Sequence, residues 1–320
     1  MNSIKDIWAL LDNDKQQLDA CIIESAQSPI DLSNRVCDYI IASGGKRIRP
    51  LVLLLLARAM NYGGDKQYQL ATAVEFIHTA TLLHDDVVDE SDMRRGTPTA
   101  NRAFGNAAAV LVGDFLYTRA FQIISQELEA ARIISDATNE LAMGEVMQLM
   151  NINNIELTEE DYFQVIHLKT AVLFAAACQF SAVLAERDEW REACAGYGNH
   201  LGRAFQIADD VLDYTGDLGQ TGKNIGDDLA EKKMTLPLIH ALKHAEPADA
   251  QRLRDIIENG QRQRIDEVVD ILAATRSVEY SQQVAFEQAD LAKASLDVLP
   301  DSDYKMALLK LADMAVKRNH

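Results

Sequence analysis

Two aspartate triplets dominate the chemistry this chain could perform. Asp85, Asp86 and Asp89 form one D-D-x-x-D, and Asp209, Asp210 and Asp213 form the other. Each follows an apolar stretch with helical spacing: Val74, Ile77 and Ala80 before the first, Leu201, Phe205 and Ile207 before the second. On a helix, Asp85 and Asp89 share a face one turn apart, as do Asp209 and Asp213. Like charges so placed destabilise an isolated helix by roughly 0.2–0.5 kcal/mol per pair. One such cluster alone is most often a solvated acidic face. Two of them call for a compensating charge, and a hard divalent cation with oxygen ligands, Mg2+ first, supplies it. If the two helices face one another, the carboxylates converge and hold about two to three Mg2+ ions. Mg2+ is usually shared between a few carboxylates and substrate phosphates, so the pattern implies a phosphate or diphosphate ligand.

The net charge of -18 excludes a nucleic-acid surface, which needs a basic face. It also requires an anion site to concentrate positive charge locally. The cations are grouped: Lys46, Arg47 and Arg49 on a glycine-initiated turn, Arg94 and Arg95 just after the first triplet, and Lys223, Lys232 and Lys233 after the second. Their donors suit phosphate oxygens, and exposed N–H groups of a glycine turn help cradle an anion. Taken singly, each pair would be ordinary surface charge. His78 lies two helical turns before Asp85 and could face the same pocket, although a lone histidine there is more often hydrogen-bonded core. His84 points elsewhere on the helix and receives no role. The segment Gly216–Lys223 fails as a P-loop: the glycine spacing is wrong, Asn224 replaces the required Ser/Thr, and a helix precedes it. No nucleophile triad or zinc spacing stands out.

The elements that must carry these residues are helical. Glycine (16) and proline (6) are scarce, no proline falls between Pro98 and Pro237, and 48% of residues are hydrophobic. The spacing predicts one amphipathic helix up to Ser28-Pro29, a second to Ile41, a loop at 44–50 and a buried helix from Leu51 to Met60. A helix from about Gln67 carries the first triplet at its C-terminal end, followed by a polar loop at 94–99. Further helices are expected over 105–127, 130–151, 159–186, 189–214 and 236–244, with two or three more beyond and a loop at 214–234. No linker appears, so residues 1–320 are expected to form a single all-α bundle. The cysteines Cys21, Cys37, Cys178 and Cys194 show no C-x-x-C spacing and no secretory signal begins the chain, which predicts reduced thiols and a cytoplasmic protein. The longest apolar run, Leu51 to Ala57, is far short of the ~20 residues that span a bilayer, so no transmembrane segment is expected.

These residues together closely resemble the trans (all-E) polyprenyl diphosphate synthases. The resemblance rests on G-G-K-R-I-R-P (44–50), L-L-H-D-D-V-V-D (82–89), M-R-R-G (93–96), G-D (113–114), K-T (169–170), F-Q-I-A-D-D-V-L-D (205–213), G-K-N-I-G-D-D (222–228) and K-M-T-L-P (233–237). It implies an isoprenoid-synthase bundle with a central cavity and a homodimer. It implies that Lys46, Arg49, His78 and Arg95 bind isopentenyl diphosphate. Arg94, Lys169, Thr170, Gln206, Lys223 and Lys233 would contact the allylic prenyl diphosphate. Asp85 and Asp89 would hold two Mg2+ and Asp209 a third, with Asp86, Asp210 and Asp213 assisting. Lys232 receives no assignment.

The implied reaction is stepwise head-to-tail elongation of farnesyl diphosphate. In this family the residues four and five before the first aspartate guard the product tunnel. Here they are Thr81 and Ala80, both small, so the tunnel stays open and runs along the helix Gly113–Gln126. Each added isoprene unit buries about five carbons, worth ~3–4 kcal/mol, so a long product is held tightly. The expected product is octaprenyl diphosphate for quinone side chains, its release involving peripheral membrane contact. A shorter-chain synthase or a non-catalytic subunit of a heteromeric enzyme is the alternative, although such subunits generally lose an aspartate motif and both are intact here.

Overall fold

A computed structural model describes Met1 and residues 3–94, 96–216 and 225–317; Arg95 and Lys223 therefore lie outside the described residues. The all-α expectation holds. Among the described residues the strand content is one two-residue antiparallel ladder, Met93–Arg94 with Thr97–Pro98, inside the expected polar loop. Contacts divide the chain into two compact units.

The first unit comprises residues 1–137, 173–198 and 293–311. Helix α1 (Ile4–Leu10) starts at a capping box in which Ser3 and Asp6 satisfy each other's backbone N–H. The single N-terminal helix expected from sequence is in fact two. At Leu11, itself buried, the backbone leaves the helical region (φ -117, ψ 34) and α2 (Asp12–Ser25) begins. Helix α3 (Asp31–Ala42) ends before Gly44, whose φ of +71 suits a residue without Cβ. Helix α4 (Ile48–Ala59) is buried on all sides from Leu51 to Ala57, as its unbroken apolar run predicts. Helix α5 (Lys66–Val88) packs along α7 (Asn106–Ile124), with the short α6 (Ala100–Phe104) between them in sequence. Buried Asp14 on α2 ties three elements together: its Oδ1 accepts from Arg58 Nε at 3.0 Å, Gln67 Nε2 at 3.1 Å and Tyr68 OH at 2.9 Å.

The second unit comprises residues 138–172, 199–292 and 312–320. The C-terminal part of α8 (Leu128–Met150) leads to α9 (Glu159–Ile166), which starts at a Thr158–Asp161 capping box. The helix expected over 159–186 is interrupted by one π-helical turn, His167–Ala171, before α10 (Val172–Leu184). Then come α11 (Arg191–Thr215), α12 (Asp227–Ala230), α13 (Leu236–His244), α14 (Pro247–Glu258), α15 (Ile265–Ala274), α16 (Ser277–Ser295) and α17 (Asp303–Val316). Four helices follow His244 where two or three were expected. Gly260 (φ +56) and Arg276 (φ +55) mark the first two of the three breaks between them. Tyr162, Ile166, Ile207, Tyr214, Leu236 and Leu253 are among the buried core residues of this unit.

Two helices, Asn106–Ile124 and Glu159–Leu184, are long and apolar enough to cross a membrane by length and composition. The apolar window of the second is 72% buried inside the protein, as in a core helix. Both tolerate a charged residue that ends an apolar run, so a run-length reading passes over them.

Candidate active site

Both triplets lie in the last turns of their helices, α5 and α11, and neither last turn contains a basic residue. A helix C-terminus carries about half a negative charge, so the backbone adds to the repulsion among the carboxylates. Sequence spacing alone does not reveal that penalty.

In the first unit, Asp86 is turned inward and only 1% exposed. Its Oδ1 accepts from Arg94 Nε at 2.9 Å and Nη2 at 2.7 Å, and its backbone carbonyl accepts from Asn101 Nδ2 at 3.1 Å. The small hairpin at 93–98 makes this contact by folding Arg94 back under the helix end, with Gly96 (φ +77) at its turn. Asp85 and Asp89 are partly buried. A cleft in this unit is lined by His78 and Arg94 together with Gly44, Arg47, Thr79 and Leu82, so two expected ligands and the start of the basic loop share one cavity. Lys46 is exposed and Arg49 half-buried. Ala80 is fully buried on α5, and Thr81, half-buried, bonds its hydroxyl back to the His78 carbonyl at 2.8 Å.

His84, given no role from sequence, reaches α7: its Nε2 lies 3.2 Å from the Val110 carbonyl and 3.4 Å from Asp114 Oδ1. Gly113 makes room for it, since a Cβ there would come within 2.3 Å of His84 Nε2. The G-D pair at 113–114 is thus a docking point for the helix that carries the first triplet.

In the second unit, Asp210 is buried and held by Tyr162 OH at 2.6 Å and Gln206 Nε2 at 2.8 Å; Thr170 Oγ1 in turn donates to Gln206 Oε1 at 2.9 Å. Burial, with added repulsion from Asp209 and Asp213, pushes the Asp210 carboxyl up to about 7 against these hydrogen bonds. Asp213 caps α12, its two oxygens accepting the Asp227 and Asp228 N–H groups at 3.1 Å each. Asp228 is likewise pushed well up, by lost hydration and then by Asp213 and Asp210. Lys169 lies in the π-helical turn, a feature common at functional sites, and its Nζ meets Glu145 Oε2 at 2.7 Å. Gly144 allows that approach: a Cβ would sit 2.8 Å from the Lys169 backbone nitrogen. Lys233 pairs with Glu231. Lys232 takes a left-handed turn (φ +56), and its carbonyl accepts the Asn153 N–H at 3.0 Å, so its place here is conformational. Tyr162 and Glu145 were not singled out from sequence, because neither belongs to a charged cluster or a recognisable spacing.

The chain as a whole is similar to known proteins. A family model described as polyprenyl synthetase matches residues 30–274. The chain is 50% identical over 323 residues to an octaprenyl diphosphate synthase of Haemophilus influenzae, covering 99% of this chain and 98% of the relative. It is also 50% identical over 321 residues to an octaprenyl diphosphate synthase of Escherichia coli, covering 99% of each. A crystal structure of a polyprenyl synthase from Caulobacter crescentus, complexed with calcium and isoprenyl diphosphate, superposes with a TM-score of 0.95 at 40% identity, covering 100% of this chain and 99% of the other. The chain belongs to the polyprenyl synthetase family. It is a trans-prenyltransferase.

The donor set of this polyprenyl synthetase suits a hard cation. The Asp86 Oδ2 atom is buried with no hydrogen-bond partner, and the Asp210 carboxyl is pushed up, by burial first and then by Asp209 and Asp213. Among the described residues no three His, Cys, Asp or Glu side chains form a ready-made metal cage. Mg2+ is typically held by one or two carboxylates plus substrate phosphates, and this arrangement accords with that mode. The four cysteines are free thiols, and burial pushes Cys37 up to about 11 and Cys194 to about 12, so those two are packing groups.

Proposed function

We propose that this polyprenyl synthetase elongates farnesyl diphosphate with isopentenyl diphosphate to all-trans octaprenyl diphosphate for quinone side chains. The observation that carries the reading is the 50% identity, over nearly the whole of both chains, to octaprenyl diphosphate synthases. The small residues Ala80 and Thr81 ahead of the first triplet support a long product. Residues 1–320 act as one catalytic domain in the cytoplasm, with peripheral membrane contact at product release.

In this reading Asp85, Asp89 and Asp209 bind about two to three Mg2+ ions, which when bound supply Lewis-acid neutralisation of the diphosphate. Asp86, Asp210 and Asp213 orient the surrounding groups. Arg94, Lys169, Thr170, Gln206, Lys223 and Lys233 hold the allylic diphosphate and stabilise charge that develops as its C–O bond ionises. Lys46, Arg49, His78 and Arg95 hold isopentenyl diphosphate so that its alkene attacks the allylic carbon. The proton is lost to the released diphosphate, which accounts for a site without a dedicated base. Water is excluded because it would trap the cation.

The active form is a homodimer. Support comes from exposed apolar residues on two helices, Val110 and Leu111 on α7 and Met143, Val146, Leu149 and Met150 on α8, whose spacing on α8 makes one stripe.

The test is a product assay with Mg2+, farnesyl diphosphate and labelled isopentenyl diphosphate, the dephosphorylated products being separated by length. A dominant octaprenyl product supports the reading. A geranylgeranyl product overturns the chain length, and no incorporation points to a non-catalytic subunit.

A further inference from the structure

The basic loop from Gly44 to Pro50 is held at three points by residues outside every motif. Trp8 Nε1 on α1 donates to the Lys46 carbonyl at 3.3 Å. The Arg47 guanidinium pairs with Asp19 on α2. The Arg47 backbone is left-handed (φ 46, ψ 47), a conformation uncommon for a non-glycine residue and kept only where the surroundings impose it. Two residues on, the Arg49 guanidinium lies over the Phe174 ring, 4.4 Å from its centroid. Phe174 is fully buried on α10. Its backbone is pinned by Gly198 on α11, where a Cβ would come within 2.5 Å of the Phe174 carbonyl oxygen. Trp8 and Asp19 precede the stretch matched by the family model, which begins at residue 30.

We propose that Trp8, Asp19 and Phe174 are positioning residues for the isopentenyl diphosphate site, each fixing one of the loop residues Lys46, Arg47 and Arg49. This rests on the reading of Lys46 and Arg49 as ligands of that substrate. A long cationic side chain loses rotamer freedom when it binds an anion, and an anchor that orders it beforehand removes part of that cost. An aromatic face does so without neutralising the guanidinium, which leaves the charge available to a diphosphate. Asp19 acts one residue away, on Arg47, and holds the left-handed turn that sets the directions of Lys46 and Arg49.

The test is initial-rate kinetics with each substrate varied in turn, for Phe174→Leu, Asp19→Asn and Trp8→Phe. Phe174→Tyr serves as the conservative rescue, and Arg49→Ala reports on the underlying site. The expected result is a KM for isopentenyl diphosphate raised about tenfold in Phe174→Leu, a smaller rise in Asp19→Asn and Trp8→Phe, an allylic KM within about twofold of wild type in all three, and near wild-type behaviour of Phe174→Tyr. An unchanged isopentenyl diphosphate KM, or an equal rise in both KM values, overturns the proposal; the equal rise is what general loosening of the fold would give. If Arg49→Ala leaves that KM unchanged, the site assignment itself fails and the proposal with it. If Arg49→Ala raises it while the anchor variants do not, only the proposal fails. Should Phe174→Leu not fold, Asp19→Asn, altered at a partly exposed side chain, decides by the same split.

Discussion

The middle aspartate of each triplet faces its own protein. Asp86 takes two donors from Arg94, and Asp210 takes one each from Tyr162 and Gln206. Successive helical residues are rotated by roughly 100°, so a triplet with two members on one face must send the other elsewhere. The sequence makes the split legible but only part of the partnering: Gln206 lies one turn from Asp210, whereas Arg94 and Tyr162 lie eight and 48 positions from the aspartates they hold. Ala80 illustrates the residue scale from another side. It is fully buried, so Ala80→Tyr places a ring into filled space. We expect a shorter main product in the length-resolved assay together with a lower melting temperature; an unchanged product length counts against the tunnel. Asp14→Ala removes the acceptor shared by Arg58, Gln67 and Tyr68. It should cost about 3 kcal/mol, the range for breaking a buried ion pair, measured by urea unfolding, and a loss under about 0.5 kcal/mol would mean that water replaces the carboxylate.

At the scale of elements, close helix approaches at two glycines bring the chemistry into register. Gly113 meets the far end of the His84 side chain, which can swing aside. Gly144 meets backbone at Leu168 and Lys169, which cannot. Gly113→Ala should therefore cost only ~1 kcal/mol and be sub-additive with His84→Ala, because either change undoes the same contact. Gly144→Ala should cost ~1–3 kcal/mol as overpacking and lower kcat by displacing Lys169. Denaturant midpoints for the two glycine variants and the double variant check the ranking, and equal losses at the two glycines would contradict it. The helices themselves were largely legible, because a period near 3.6 is written in the apolar positions. The π-helical turn at 167–171 was not: an extra residue rotates the following helix by roughly 100°, but α10 is buried on most sides, from Val172 to Ala182, so the change of face leaves no mark in the apolar pattern.

For the whole molecule, the net charge of -18 sets a general repulsion that any bound cation relieves. Two carboxylate clusters at helix C-termini concentrate it. Mg2+ at millimolar concentration should raise the melting temperature without substrate, by linkage to the folded state, and chelation should abolish turnover. Asp85→Asn and Asp209→Asn should each reduce the Mg2+ shift. An equal shift from NaCl at matched ionic strength would mean screening rather than site binding.

The sequence by itself determined the helical class, the two carboxylate triplets, the cationic groups and the family. Helical faces and charge clusters are local properties, set by residues a few positions apart, and they survive into any fold that keeps the helices. Tertiary structure alone decided which groups hold the chemistry in place: Tyr162 on Asp210, His84 against Gly113, and Trp8, Asp19 and Phe174 around the basic loop. Those partners are common core or surface residue types lying tens of positions away, such as Trp8 and Lys46 with a separation of 38 positions. Only packing brings them together, and no spacing rule in one sequence encodes packing over that distance.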